Sequence, residues 1–95
     1  MSYVRVSVAI KGRVQGVYFR SETRERAIGL GVRGWVRNRG DGAVEGVFEG
    51  ERESVEKLVD WCRQGPSGAK VTEVQAQWVE LLDNTSDFSS FRIRF

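Results

Sequence analysis

Residues 32–49 read Val32-Arg33-Gly34-Trp35-Val36-Arg37-Asn38-Arg39-Gly40-Asp41-Gly42-Ala43-Val44-Glu45-Gly46-Val47-Phe48-Glu49. Val32, Gly34 and Val36 fall on one face of the first half, and Val44, Gly46 and Phe48 on one face of the second. Period-two alternation on both sides of an Asp-Gly turn predicts two antiparallel strands, over 32–38 and 43–49, joined as a hairpin. What flanks this hairpin decides the fold. Each side carries one helical pattern and, beyond it, one further strand.

On the N-terminal side a helix is predicted over 21–30, with Thr23, Ala27 and Leu30 on one face. Ser21 is its expected N-cap and Gly31 its stop. Before it lies a strand over 3–11 that turns Val4, Val6, Val8 and Ile10 inward, with glycines at 12 and 16 interrupting the pattern. On the C-terminal side Val55, Leu58, Val59 and Cys62 recur at i, i+3, i+4 and i+7, which predicts an amphipathic helix over 51–64. Glu51 and Glu53 suit its dipole, and Gly65-Pro66 ends it. A strand over 71–82 follows, with Val74, Ala76 and Trp78 on one face. A polar loop over 83–87 leads to a short terminal strand in which Phe91, Ile93 and Phe95 alternate with Arg92 and Arg94.

The order is β-α-β-β-α-β with a short C-terminal strand. Two short helices cannot cover both faces of this sheet, so both should lie on one face, over the collected apolar stripes. That is an α+β fold, a ferredoxin-like α/β sandwich with a mainly antiparallel sheet. Right-handed crossovers place the first and third strands side by side in the centre.

The 95 residues are expected to form one domain over 1–95. Fifteen basic against thirteen acidic residues leave a net charge of +2, too little for the footprint of a nucleic-acid binder. No apolar run approaches the roughly 20 residues of a membrane span, and the N-terminus shows no signal-peptide core. A cytoplasmic protein without a membrane partner is expected, with a monomer the default at this size. There is no His and a single Cys. That excludes a Ser-His-Asp triad, a Cys-His dyad, His-ligated metal, an internal disulfide and a zinc cysteine cluster. Cys62 reads as a small apolar core residue. Arg39-Gly40-Asp41 reads as turn chemistry rather than an adhesion tripeptide, and Asn84-Thr85-Ser86 as a turn rather than a glycosylation acceptor.

Chemistry is left to Arg, Lys, carboxylates, amides, hydroxyls and backbone N–H groups. The informative segment is Lys11-Gly12-Arg13-Val14-Gln15-Gly16-Val17-Tyr18-Phe19-Arg20, from the end of a central strand to the start of a helix. It reads in two ways. One is a tight turn with a surface arginine. The other is an oxyanion cradle, built from inward N–H groups, a helix N-terminus and the guanidinium fork of Arg20. It is neither a Walker A loop nor a Rossmann fingerprint. Asn38 ends the strand before the hairpin, in phase with its buried set. Its carboxamide either satisfies the turn backbone or holds a water.

These residues resemble the two signatures of the acylphosphatase family. Gly12-Arg13-Val14-Gln15-Gly16-Val17-Tyr18-Phe19-Arg20 matches the first. Gly34-Trp35-Val36-Arg37-Asn38, with Gly42, Val44 and Gly50 at the same offsets, matches the second. The resemblance continues through Gly65-Pro66-Ser67-Gly68-Ala69-Lys70-Val71 and Phe91-Arg92-Ile93-Arg94-Phe95. Ser21-Glu22 is more polar than is common in the family. The resemblance implies hydrolysis of the carboxyl–phosphate bond of small acyl phosphates to a carboxylate and inorganic phosphate, with no metal or cofactor. It further implies that Arg20 binds the phosphate and that Asn38 orients the attacking water. The backbone N–H groups of Gln15, Gly16, Val17, Tyr18 and Phe19 would cradle the phosphoryl oxygens.

Two other classes share the topology. An RNA-recognition module stacks bases on aromatics of the two central strands. Here Arg5, Ser7, Ala9, Glu45, Val47 and Glu49 occupy that open face, and Trp35 between Arg33 and Arg37 is its one aromatic. A regulatory ferredoxin-like domain does not require Arg20 and Asn38 together. A related domain inside large carbamoyl-transferring maturation proteins belongs to much longer chains.

Overall fold

The Val4, Val6, Val8 and Ile10 alternation is a buried face, each residue no more than 4% exposed. In the computed structural model, which describes residues 2–83 and 85–95, this face belongs to strand β1 (Tyr3–Arg13). Helix α1 (Phe19–Leu30), β2 (Arg33–Asn38), β3 (Val44–Glu51), α2 (Arg52–Gln64), β4 (Lys70–Leu81) and β5 (Phe91–Arg94) follow. The sheet runs β4-β1-β3-β2-β5, with β1 and β3 at its centre as expected. All pairings are antiparallel except β5 with β2, which is parallel.

The β1–β3 register sets Val4 against Gly50, Val6 against Phe48 and Ile10 against Val44, so one face collects the apolar set. Val55, Leu58, Val59 and Cys62 of α2 pack on it. From α1 come Phe19, Thr23 and Ala27, the Thr23 hydroxyl donating to Phe19 O at 2.7 Å. Burying these stripes releases water from apolar surface, the main favourable term for a domain of this size. At Gly34 the neighbouring strand comes so close that a Cβ would stand 1.9 Å from Val47 O, and φ is +138°.

Several boundaries differ from the sequence expectation. Helix α1 begins at Phe19, and its N-cap is Tyr18 in the left-handed region (φ 65°, ψ 23°), with no side-chain cap; Ser21 lies in the first turn. Phe19 is 1% exposed, and its ring centroid lies 5.4 Å from that of Trp61. Pinning that aromatic fixes where the helix starts. Gly12 does not end β1; the strand takes a bulge between Lys11 and Gly12 and continues to Arg13. Glu51 is the N-cap of α2. Trp78 is 40% exposed, whereas Val71, Val74 and Ala76 of the same strand pack against the core. Phe95 lies beyond β5 and is almost wholly exposed.

Glu49 is not an open-face carboxylate either. It is fully buried beneath the β4–β5 connection, accepting from Arg5 Nε (2.5 Å), Ser86 Oγ (2.8 Å) and the Asp87 N–H (3.0 Å). Of the Asn84-Thr85-Ser86 sequon, Asn84 lies outside the described residues. No helix among the described residues is long and apolar enough to cross a membrane.

Candidate active site

β1 and β2 each run antiparallel to β3, so their C-terminal ends meet at the same edge of the sheet. The segment after β1 is held there by two buried anchors, Val14 (0% exposed) and Phe19 (1%). Between them the chain is lifted outward. Gly16 (φ 77°) and Tyr18 (φ 65°) have positive φ, while Gln15 and Val17 do not. Alternating sign along four residues is the backbone habit of an anion nest, in which successive N–H groups face one concavity. Among the described residues, no protein acceptor takes up the N–H groups from Gln15 to Phe19. The N-terminus of α1 adds its positive dipole end at the same place.

Arg20 and Asn38 line one cavity of about 280 Å³. Gly16, Tyr18 and Phe19 contribute from the loop, and Ser21 from the first turn of α1. Gln15 and Val17 lie outside that lining. Val17 packs against the core, and the Gln15 side chain turns away to the hairpin, donating from Nε2 to Arg39 O (2.8 Å) and Ala43 O (3.0 Å). The cavity is at the small end of ligand pockets, which suits a small substrate.

Among the described residues, Arg20 is the only charged side chain in the lining, and no carboxylate pairs with it. Its guanidinium lies over the Phe95 ring, 5.3 Å from the centroid, a contact that orients the group without cancelling its charge. Asn38 has no side-chain hydrogen bond among the described residues. The turn is closed by other groups: Arg39 N–H to Ala43 O (2.7 Å), Gly42 N–H to Arg39 O (3.2 Å) and Ala43 N–H to Asp41 Oδ1 (3.1 Å). The reading of Asn38 as the residue that satisfies its own turn therefore fails. Neighbouring charges are already matched, Arg37 with Glu45 and Arg39 with Asp41. The Arg39 guanidinium, aided by the Ala43 N–H, holds the Asp41 carboxyl below its ordinary range.

Ser21, Phe95 and the side chain of Gln15 were not marked as site residues by the sequence. For Ser21 the signal was available, since it follows Arg20 on the same first turn. For the other two the partners lie far away along the chain.

A pocket formed by a loop with unengaged N–H groups and one arginine without an ion-pair partner among the described residues, at the end of a ferredoxin-like sheet, suits a small enzyme of phosphoryl chemistry. The comparisons agree. The acylphosphatase family model matches residues 6–93. An acylphosphatase of Pelotomaculum thermopropionicum is 61% identical over the full length of both chains. The structure of an acylphosphatase from Coxiella burnetii superposes with a TM-score of 0.85 at 40% identity, covering 98% of this chain and 94% of that one. The Bacillus subtilis acylphosphatase superposes with a TM-score of 0.88 at 30% identity, covering 97% and 99%. The chain belongs to the acylphosphatase family, and its activity is hydrolysis of the carboxyl–phosphate bond of acyl phosphates.

Proposed function

We propose that Arg20 and the N–H groups of residues 15–19 hold the phosphoryl group, while Asn38 orients the attacking water. One observation carries this reading. Arg20 and Asn38 share a cavity, and among the described residues neither forms a side-chain hydrogen bond or ion pair. Water attacks phosphorus on the side opposite the carboxylate. The new O–P bond forms as the carboxyl O–P bond breaks, and the carboxylate departs with the electron pair. A phosphoryl oxygen of the substrate accepts the water's proton. The leaving group's conjugate acid has a pKa of roughly 4 to 5, like a side-chain carboxyl, so no general acid is required at neutral pH. The transition state is loose, so no strong base is required either. Positioning and charge stabilisation remain, and these are what a nest, an arginine and a carboxamide supply.

On this reading the 95 residues act as one domain and as a monomer in the cytoplasm. A lone buried thiol suits a reducing compartment, and size-exclusion chromatography checks the monomer. The site is tested by hydrolysis of benzoyl phosphate in EDTA, comparing wild type with Asn38→Ala. The expected result is rapid wild-type turnover and a kcat lower by about 10²-fold in the variant. Unchanged turnover in Asn38→Ala would remove the water-orienting role. A folded wild type that binds phosphate without turnover would leave an anion-binding module.

A further inference from the structure

A carboxamide nitrogen carries two hydrogens, and on Gln15 both are committed to the same turn. Gln15 Nε2 donates to Arg39 O at 2.8 Å and to Ala43 O at 3.0 Å. Each of these carbonyls also closes the turn itself, Arg39 O accepting from Gly42 N–H and Ala43 O from Arg39 N–H. Both lone pairs of both oxygens are thereby engaged. The side chain is half-buried, so water competes with these bonds only in part.

The placement gives the bonds a meaning beyond turn stability. Gln15 sits between Val14 and Gly16, both in the cavity lining. Arg39 directly follows Asn38, the last residue of β2. One residue therefore has its backbone in the loop beside Arg20 and its side chain fixed to the turn beside Asn38. The loop and the hairpin leave strands whose direct pairing stops at Ile10 and Val44, and the Gln15 side chain joins them beyond that point.

We propose that Gln15 is a positioning residue that sets the spacing between the phosphate-holding loop and the water-holding Asn38. The proposal rests on the role given to Asn38 above. The chemistry demands glutamine. Glutamate has no hydrogen to give and would set a carboxylate against two carbonyl oxygens. Asparagine is one methylene shorter and falls short of both acceptors.

The test uses the full chain and benzoyl phosphate, with inorganic phosphate as the binding probe. Gln15→Ala should lower kcat by roughly 10- to 100-fold, the scale of a misplaced reacting group, with phosphate inhibition little changed because Arg20 and the N–H groups remain. If Gln15 acts through Asn38, the double variant Gln15→Ala/Asn38→Ala should match Asn38→Ala within roughly twofold. Gln15→Glu should be slow at neutral pH. Relative to wild type at each pH, it should recover in part as the pH falls toward roughly 4 to 5, where a carboxyl gains one proton to donate to one of the two carbonyls. This recovery is measured within one preparation, so it decides the matter even if Gln15→Ala does not fold. Full kcat in Gln15→Ala, multiplying losses in the double variant, or a pH-independent defect in Gln15→Glu would each overturn the positioning role while leaving Asn38 in place. Wild-type kcat in Asn38→Ala is a different outcome, since it removes the reading on which the proposal rests.

Discussion

Arg5 Nε lies 2.5 Å from Glu49 Oε2, and Glu49 is wholly buried although it points to the face of the sheet that no helix covers. The β4–β5 connection brings Ser86 Oγ and the Asp87 N–H to the other carboxylate oxygen, and Asp87 also pairs with Arg5. A strand, its neighbour and a distant loop are thus joined through one carboxylate.

Burial alone would raise the Glu49 pKa, but the bonds from Arg5, Ser86 and Asp87 outweigh it and hold the carboxyl below its ordinary range. A depressed folded-state pKa contributes stability that is complete above the unfolded value, about 4.3, and is lost as pH falls through the folded one. Glu49→Gln should therefore lose about 1–3 kcal/mol at pH 7 and show a flatter acid limb in urea midpoint against pH. Parallel acid limbs for the two proteins would contradict this.

Arg20 offers a planar fork backed by the Phe95 ring. Arg20→Lys keeps the charge but loses both bidentate geometry and stacking. We expect weaker phosphate inhibition together with a lower kcat, whereas Asn38→Ala should affect mainly kcat. Steady-state kinetics with phosphate inhibition separates the two. Equal loss of affinity in both variants would dissolve the division of labour.

Tyr18 is the only non-glycine residue with positive φ among the described residues, and its side chain is 78% exposed. An L-residue in that region costs roughly 1–2 kcal/mol, and little burial offsets it here. Tyr18→Gly should be more stable than Tyr18→Ala by about 1 kcal/mol, read from denaturant midpoints. A more stable alanine variant would mean that the loop relaxes out of the left-handed region.

Cys62 is fully buried on the inner stripe of α2, and burial pushes its thiol up to about 12. A neutral, covered thiol does not attack disulfide reagents. Native protein should resist labelling and keep full activity, with one thiol appearing on unfolding. Rapid labelling of active enzyme would show that α2 opens far more readily than a core helix should.

The strands and α2 were legible because their apolar spacing has a clean period, as in Val4-Val6-Val8-Ile10 and Val55-Leu58-Val59-Cys62. The start of α1 was not. Composition favoured Ser21 as a cap, while the chain uses a left-handed Tyr18, chosen by the need to bury Phe19 against Trp61. Glu49 read as exposed from its strand phase, because its cover comes from a connection 37 and 38 residues away. Arg20 and Asn38 could be placed near each other from topology alone, since parallel strand ends meet at one edge. The Gln15 side chain could not, because its acceptors are backbone carbonyls 24 and 28 residues downstream.

The parallel pairing of Gly34–Arg37 with Phe91–Arg94 carries a consequence for the timing of synthesis. The ribosome releases the chain N-terminus first. The loop, the hairpin and Asn38 all emerge while the outer edge of β2 is still bare. Only when the last strand arrives does that edge gain its neighbour. A nascent chain stalled before residue 91 would carry every residue that lines the pocket of Arg20 and Asn38, yet leave one edge of its sheet unpaired.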